Sequence, residues 1–126
     1  MNKILVISPE KEVDHLAPFI KKKAQILIKL LKLKNIGVEV YLVGDELMKK
    51  NVLAFPVPKN FPHPDMKVNF LGEIYLNPEY IKRHNENLVY LLTHGFLHLL
   101  GYGHKKKNDR IKMENKEQAL LQRLAI

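Results

Sequence analysis

Cysteine is absent from this chain of 126 residues, which excludes a disulfide scaffold and any thiolate-bound metal. There is no run of eighteen apolar residues either, so no membrane-spanning helix is expected. The opening MNKILVI has too short an apolar part for a secretory signal, and a cytoplasmic location is the default expectation. Arginine is scarce as well. Of 21 positive residues only Arg83, Arg110 and Arg123 are arginine, leaving 18 lysines against 13 acids and a formal charge of +8. An excess of that size points to a polyanionic partner, nucleic acid first, beside the plainer reading of a lysine-rich soluble protein. With so few guanidinium forks, bidentate reading of bases is not expected; lysine suits contact with a phosphate backbone.

What is present has the hydrophobic and charged fractions of an ordinary globule, 46% and 27%, and a length that suits one domain over residues 1–126. Residues 3–8 read as a strand. A helical pattern then runs from about 14 to 35, with Ile20, Ala24, Leu27 and Leu31 on one stripe and Lys22, Gln25, Lys29 and Lys32 opposite; Asn35 to Gly37 is its expected end. Residues 38–43 and 52–55 read as further strands, joined by a connector over 44–51. Four prolines make 56–65 a stiff loop, and residues 68–76 alternate as a strand that Asn77 and Pro78 stop. Helices are expected over about 86–100, with Gly101 just past the end, and over about 108–124. The fold class is α+β: a mixed sheet of about four strands covered by helices.

The stretch THGFLHLLGYGHKKK, residues 93–107, carries three of the six histidines inside the most apolar part of the chain. His94 and His98 are four positions apart, hence about 40° around a helix axis and roughly 6 Å along it. Both rings can reach one ion. Gly101 can turn the chain back, and His104 can supply a third nitrogen from the following loop. Three imidazoles suit zinc, with nickel or cobalt also acceptable, and leave a fourth position open, as in catalytic rather than structural zinc sites. Water in such a position has its pKa lowered towards about 7. Two unpaired imidazoles among Leu91, Leu92, Phe96, Leu97 and Leu99 would otherwise carry a desolvation cost, so a metal site is favoured over satisfied core histidines.

Gly95 adds two expectations. A glycine inside a helix costs about 0.5–1 kcal/mol relative to alanine, so it marks close packing or close ligand approach. It also stands where an HExxH peptidase places its glutamate base, so the ligand spacing survives without that base.

HGFLHLLGYGH, residues 94–104, resembles the hallmark H-G-x-L-H-L-x-G-Y-D-H of the YbeY family of metal-dependent endoribonucleases. NVLAFP at 51–56 is similar to the family's D/N-V-L-S-F-P, LGEIYLNPEY at 71–80 to its L-G-D-I-x-I-x-P, and Met113, Glu117, Leu120 and Leu121 fit its last helix. The resemblance implies a zincin-like mixed sheet, His94, His98 and His104 as ligands of one Zn2+, and a cleft for single-stranded RNA. It also implies a role in ribosomal RNA maturation and ribosome quality control, with the small ribosomal subunit as partner. The chain departs from the pattern at Gly103, where the family has aspartate, and at Ala54, where it has serine. Residues 43–50 lack the family's arginine, which weakens the assignment of catalysis and leaves that of the metal untouched.

The chemistry expected is zinc-assisted phosphodiester cleavage, with Lys105, Lys106 and Lys107 placed to contact phosphate or merely to form a solvated turn. Glu117 interrupts the apolar stripe of the last helix. It can accept a proton from the second nitrogen of a zinc-bound histidine, but an arginine partner or a place at the wet margin of the stripe is preferred. Glu73 is expected to be exposed, and His15, His63 and His84 are assigned no ligand role. Two rivals stand beside this reading: a zinc peptidase or amidase, and a non-catalytic ribosome- or RNA-binding module whose metal secures the fold.

Overall fold

A computed structural model describes residues 2–8, 15–57, 69–103 and 106–124. In chain order these form β1 (Lys3–Ile7), α1 (Ala17–Leu30), β2 (Ile36–Leu42), β3 (Val52–Pro56), β4 (Asn69–Leu76), α2 (Pro78–Arg83), α3 (Leu88–Leu99) and α4 (Lys107–Leu124). The α+β expectation holds, with a four-stranded mixed sheet in the order β1-β2-β4-β3. β1, β2 and β4 are parallel, and β3 runs antiparallel along the outer side of β4.

The strands alternate as half-covered strands must. Val38, Val40 and Leu42, Ile74 and Leu76 are buried and join one core with Ile20, Ala24 and Leu27 of α1 and Leu92, Phe96 and Leu97 of α3. Ile4, Val6, Val52 and Ala54 pack against that core. Glu39, Tyr41, Glu73, Tyr75 and Phe55 occupy the alternate positions. There Tyr41 and Tyr75 stack at 4.8 Å, and each phenol donates to the glutamate two residues before it, both at 2.9 Å. Glu73 is thus half-buried and hydrogen-bonded rather than exposed. Its carboxylate pushes the Tyr75 phenol up, second to burial itself.

The first helix ends sooner than the hydrophobic pattern suggests. Lys32 takes φ +57°, its N–H donates to Lys29, and Leu33 N–H reaches back to Ile28 at 3.1 Å, a complete Schellman stop. Gly37 is therefore a buried strand residue and not part of the stop. A second difference lies after β4. Asn77 and Pro78 do not simply end the strand but begin α2, with the Asn77 side chain accepting from Tyr80 N at 3.1 Å and proline in the first turn. The prolines from residue 58 to 65 of the expected stiff loop lie outside the described residues.

Asn77 is 0% exposed and uses its whole amide. Besides capping α2 it donates to Met48 O at 2.9 Å and to Asp45 Oδ1 at 3.0 Å, pinning the connector between β2 and β3 to the helix. Arg83 closes the same corner on Asp45 at 2.7 and 3.2 Å. Hydrogen bonds from Arg83 and then Asn77 hold the Asp45 carboxyl down at about 2. Asn77→Ala leaves a buried N–H and a buried carbonyl without partners, and is expected to cost about 2–4 kcal/mol. Urea denaturation at constant m-value checks this; a loss below about 1 kcal/mol would mean that water replaces the amide.

Two glycines set how closely the layers meet. A Cβ on Gly95 of α3 would sit 2.9 Å from the Ile74 Cγ2 methyl, so its absence lets the helix lie directly on β4. The close-packing alternative read from the sequence is the one realised. Gly72, at φ +141°, faces the Phe55 carbonyl across the β3–β4 pair. It adjoins a bulge where Gly37 pairs with Phe70 but Val38 with Gly72.

Candidate metal centre

Helix α3 starts on Asn87, whose side chain accepts from Val89 N and Tyr90 N at 2.9 and 3.1 Å. Leu92 and Gly95 are turned to the sheet, which leaves Tyr90, His94 and His98, at i, i+4 and i+8, on a shared stripe beside α4. The helix stops as its glycine predicted: Gly101 has φ +99°, its N–H donates to His98 O, and Tyr102 N reaches Leu97 O at 3.0 Å. Residues 101–103 then run along the mouth of a cleft of about 490 Å³ lined by His98, Tyr102, Gly103, Asp109 and Lys112.

The two described histidines converge. His94 Nε2 and His98 Nε2 are 3.1 Å apart, with the rings steeply inclined at 77°. Nitrogens bound tetrahedrally to one zinc at about 2.0–2.1 Å would be about 3.3 Å apart, so the pair needs almost no movement to share an ion. Imidazole nitrogen is also the right donor chemistry. His104 lies outside the described residues, and among the described residues no group of three metal-binding side chains forms.

Behind His94 is a residue whose preferred placement in the sequence reading was wrong. Glu117 is neither at a wet margin nor paired with arginine: it is 2% exposed, and its Oε2 lies 2.6 Å from His94 Nδ1. The reason is the helix pairing. Met113, Leu120 and Leu124 of α4 are buried on the same stripe, so the side chain between them is carried into the interface with α3. Tyr90 was not singled out from sequence, although its position one turn before His94 was the available signal. Its ring centroid lies 6.1 Å from that of His94, and its phenol is pushed up by burial first and by the charge of Glu117 second.

Of the three expected lysines, Lys106 and Lys107 are exposed at the start of α4, and Lys105 lies outside the described residues. Lys112, a turn further along α4, is the cation that lines the cleft with His98, and sequence patterning alone offered no reason to select it. Lys49 and Lys50 line a different groove, with Leu47, Leu53, Phe55 and Tyr75. Arg83 is engaged by Asp45. His15 is exposed, and His84 stacks on Tyr80 at 3.9 Å with its Nδ1 2.9 Å from Tyr80 O, neither of them near the pair; His63 lies outside the described residues.

Fold and site together define a class: an α+β protein with a four-stranded mixed sheet, whose histidine helix turns two imidazole nitrogens towards each other beside an open cleft. The family model described as Endoribonuclease YbeY matches residues 7–125, and the chain belongs to the YbeY family. Relatives named Endoribonuclease YbeY include one from Nitrobacter hamburgensis, 38% identical over 86 residues, which cover 60% of this chain and 45% of that protein. Another, from Finegoldia magna, is 31% identical over 134 residues, covering 90% of this chain and 86% of that protein. The chain thus spans less than half the length of the first relative and most of the second. The solution structure of TM1509 from Thermotoga maritima has the same fold, with a TM-score of 0.55 at 23% identity, covering 98% of this chain and 89% of that one. Among the described residues no helix is long and apolar enough to cross a membrane.

Proposed function

We propose that this chain is a zinc-dependent endoribonuclease that cuts single-stranded RNA in ribosomal RNA maturation and ribosome quality control. It acts in the cytoplasm as one domain over residues 1–126, with the small ribosomal subunit as partner. The observation that carries the reading is the 3.1 Å approach of His94 Nε2 and His98 Nε2 at the wall of an open cleft, in a chain of this family. His94 and His98 would hold the ion together with His104, the third histidine of the motif. When bound, the ion supplies Lewis acidity at a phosphoryl oxygen. The antiparallel edge strand β3 beside α3 supports the zincin-like arrangement that the family resemblance implies.

The chain's own residues do the remaining work. Lysines bind the backbone: Lys112 from the wall of the cleft, and Lys106 and Lys107 from the exposed start of α4, with Lys105 as the remaining lysine of that run in the sequence. Their charge offsets the negative charge that grows on the phosphate during cleavage. Tyr102 and Leu100 line the same cleft and offer apolar surface to a base. The connector has no arginine and Arg83 is held by Asp45, and among the described residues that line the cleft the cation is Lys112.

Replacing Lys106, Lys107 and Lys112 together by glutamine is expected to weaken single-stranded RNA binding and to lower the salt slope by roughly 0.7 for each phosphate no longer neutralised, about 2 in all. A salt titration of binding checks it; an unchanged slope means that these lysines do not touch phosphate. The activity itself is tested with a labelled single-stranded RNA, with and without chelator, beside a casein control. Cleavage that survives complete zinc removal defeats the catalytic metal. RNA binding without turnover makes the chain a binding module instead, the alternative that Gly103 and the missing arginine keep open. Casein hydrolysis would support the peptidase rival.

A further inference from the structure

Glu117 is a carboxylate in the place of a core residue. It is 2% exposed on a stripe otherwise made of Met113, Leu120 and Leu124. Burying a carboxylate costs several kcal/mol unless hydrogen bonds compensate, so a fold that only needed packing would have an apolar side chain there. Glu117 is hydrogen-bonded to His94 Nδ1 at 2.6 Å, within the range of charge-assisted bonds.

An ionised carboxylate only accepts, so His94 Nδ1 must carry the hydrogen. The other nitrogen of the ring, Nε2, is the one 3.1 Å from His98 Nε2. That separation suits one N–H and one lone pair, not two N–H groups facing each other. The stripe position of Tyr90 adds to this. Its ring centroid lies 6.1 Å from that of His94, and its phenol is pushed up by burial first and by the charge of Glu117 second, which places the two groups side by side.

We propose that Glu117 is the positioning residue of the metal centre: its carboxylate holds His94 as the Nδ1–H tautomer in a fixed orientation, which leaves the Nε2 lone pair aimed at the point it shares with His98. This rests on the metal reading above. It adds a role for a residue of the last helix, 23 positions further along the chain, and makes the packing of α4 on α3 a condition of cation affinity. A carboxylate behind a metal-bound histidine both orients the ring and raises its basicity, and losing one lowers metal affinity about 10–100-fold.

The test uses the full chain, with Zn2+ as probe, measured by competition with a chromophoric chelator. Glu117→Gln preserves the volume, and Glu117→Leu restores an apolar stripe. Both are expected to keep the helical spectrum, to unfold no sooner than the parent in the case of leucine, and to bind Zn2+ about 10–100-fold more weakly. Long-range ¹H–¹⁵N correlation spectra of the metal-free protein should show His94 as the Nδ1–H tautomer, and a mixture of tautomers in Glu117→Leu. Folded variants with parental Zn2+ affinity overturn the proposal, and so does a parental His94 protonated at Nε2 alone. If the parent protein binds no Zn2+ at all, the metal reading itself falls, which separates that failure from a failure of Glu117.

Discussion

His98→Ala is expected to leave a folded protein that has lost more than about a hundredfold in Zn2+ affinity and, with it, measurable RNA cleavage. The ring is half-buried at the end of α3 and is not part of the core built on Leu92, Phe96 and Leu97, so its removal leaves that core in place. The loss concerns the ion. Outer partners of metal ligands are worth about 10–100-fold, and a ligand contributed directly is worth more. Chelator competition and a single-turnover RNA assay, run beside thermal unfolding, separate the cases. A variant that unfolds with the parent and still holds zinc would remove His98 from the centre. A variant that loses zinc but still cuts RNA would detach the metal from the chemistry.

The second large effect concerns the sheet. Gly72→Val is expected to destabilise the fold by about 3–5 kcal/mol. A Cβ at residue 72 would lie 2.3 Å from the Phe55 carbonyl, with φ at +141°, a value that a β-branched residue avoids. Neither partner can yield, because the obstacle is backbone of the neighbouring strand. The β3–β4 pairing would have to open where Pro56 lies opposite Gly72, and Leu99 of the histidine helix would be displaced with it, since its side chain is 2.9 Å from the same point. Denaturant unfolding measures the loss directly, and amide exchange along β3 shows where it falls. A valine variant as stable as the parent would mean that the strand register can shift to accept a side chain.

These glycine and histidine positions mark how far the sequence could be read. His94 and His98 are visible because helical periodicity is local: four residues always bring two side chains to one face, whatever the helix packs against. The alternation of β2 and β4 and the glycine stop of α3 are legible for the same reason, and so was the tight place at Gly95. Gly72 was legible only as an alternating strand position, because its constraint comes from the carbonyl of Phe55 on another strand. The first helix was read too long because apolar residues continue past Leu30, while a lysine, and not a glycine, takes the left-handed turn. The α2 helix was missed because Asn77 and Pro78, which end a strand, also cap a helix, and the difference is decided by the connector that Asn77 holds.

The sequence by itself determined the class: a basic, cysteine-free α+β chain, with a helix that carries His94 and His98 four residues apart and with the pattern of its family. These are properties of composition and of near neighbours, and backbone geometry converts them into structure without reference to the rest of the chain. Only the tertiary structure decided what surrounds the first histidine and what faces the cleft. It brought Glu117 to His94 and set Lys112 on the same cleft as His98. The angle and register at which α4 packs on α3 follow from burying Met113, Leu120 and Leu124 together with Leu92 and Phe96. That is a sum over many long-range contacts, and no single stretch of the chain contains it.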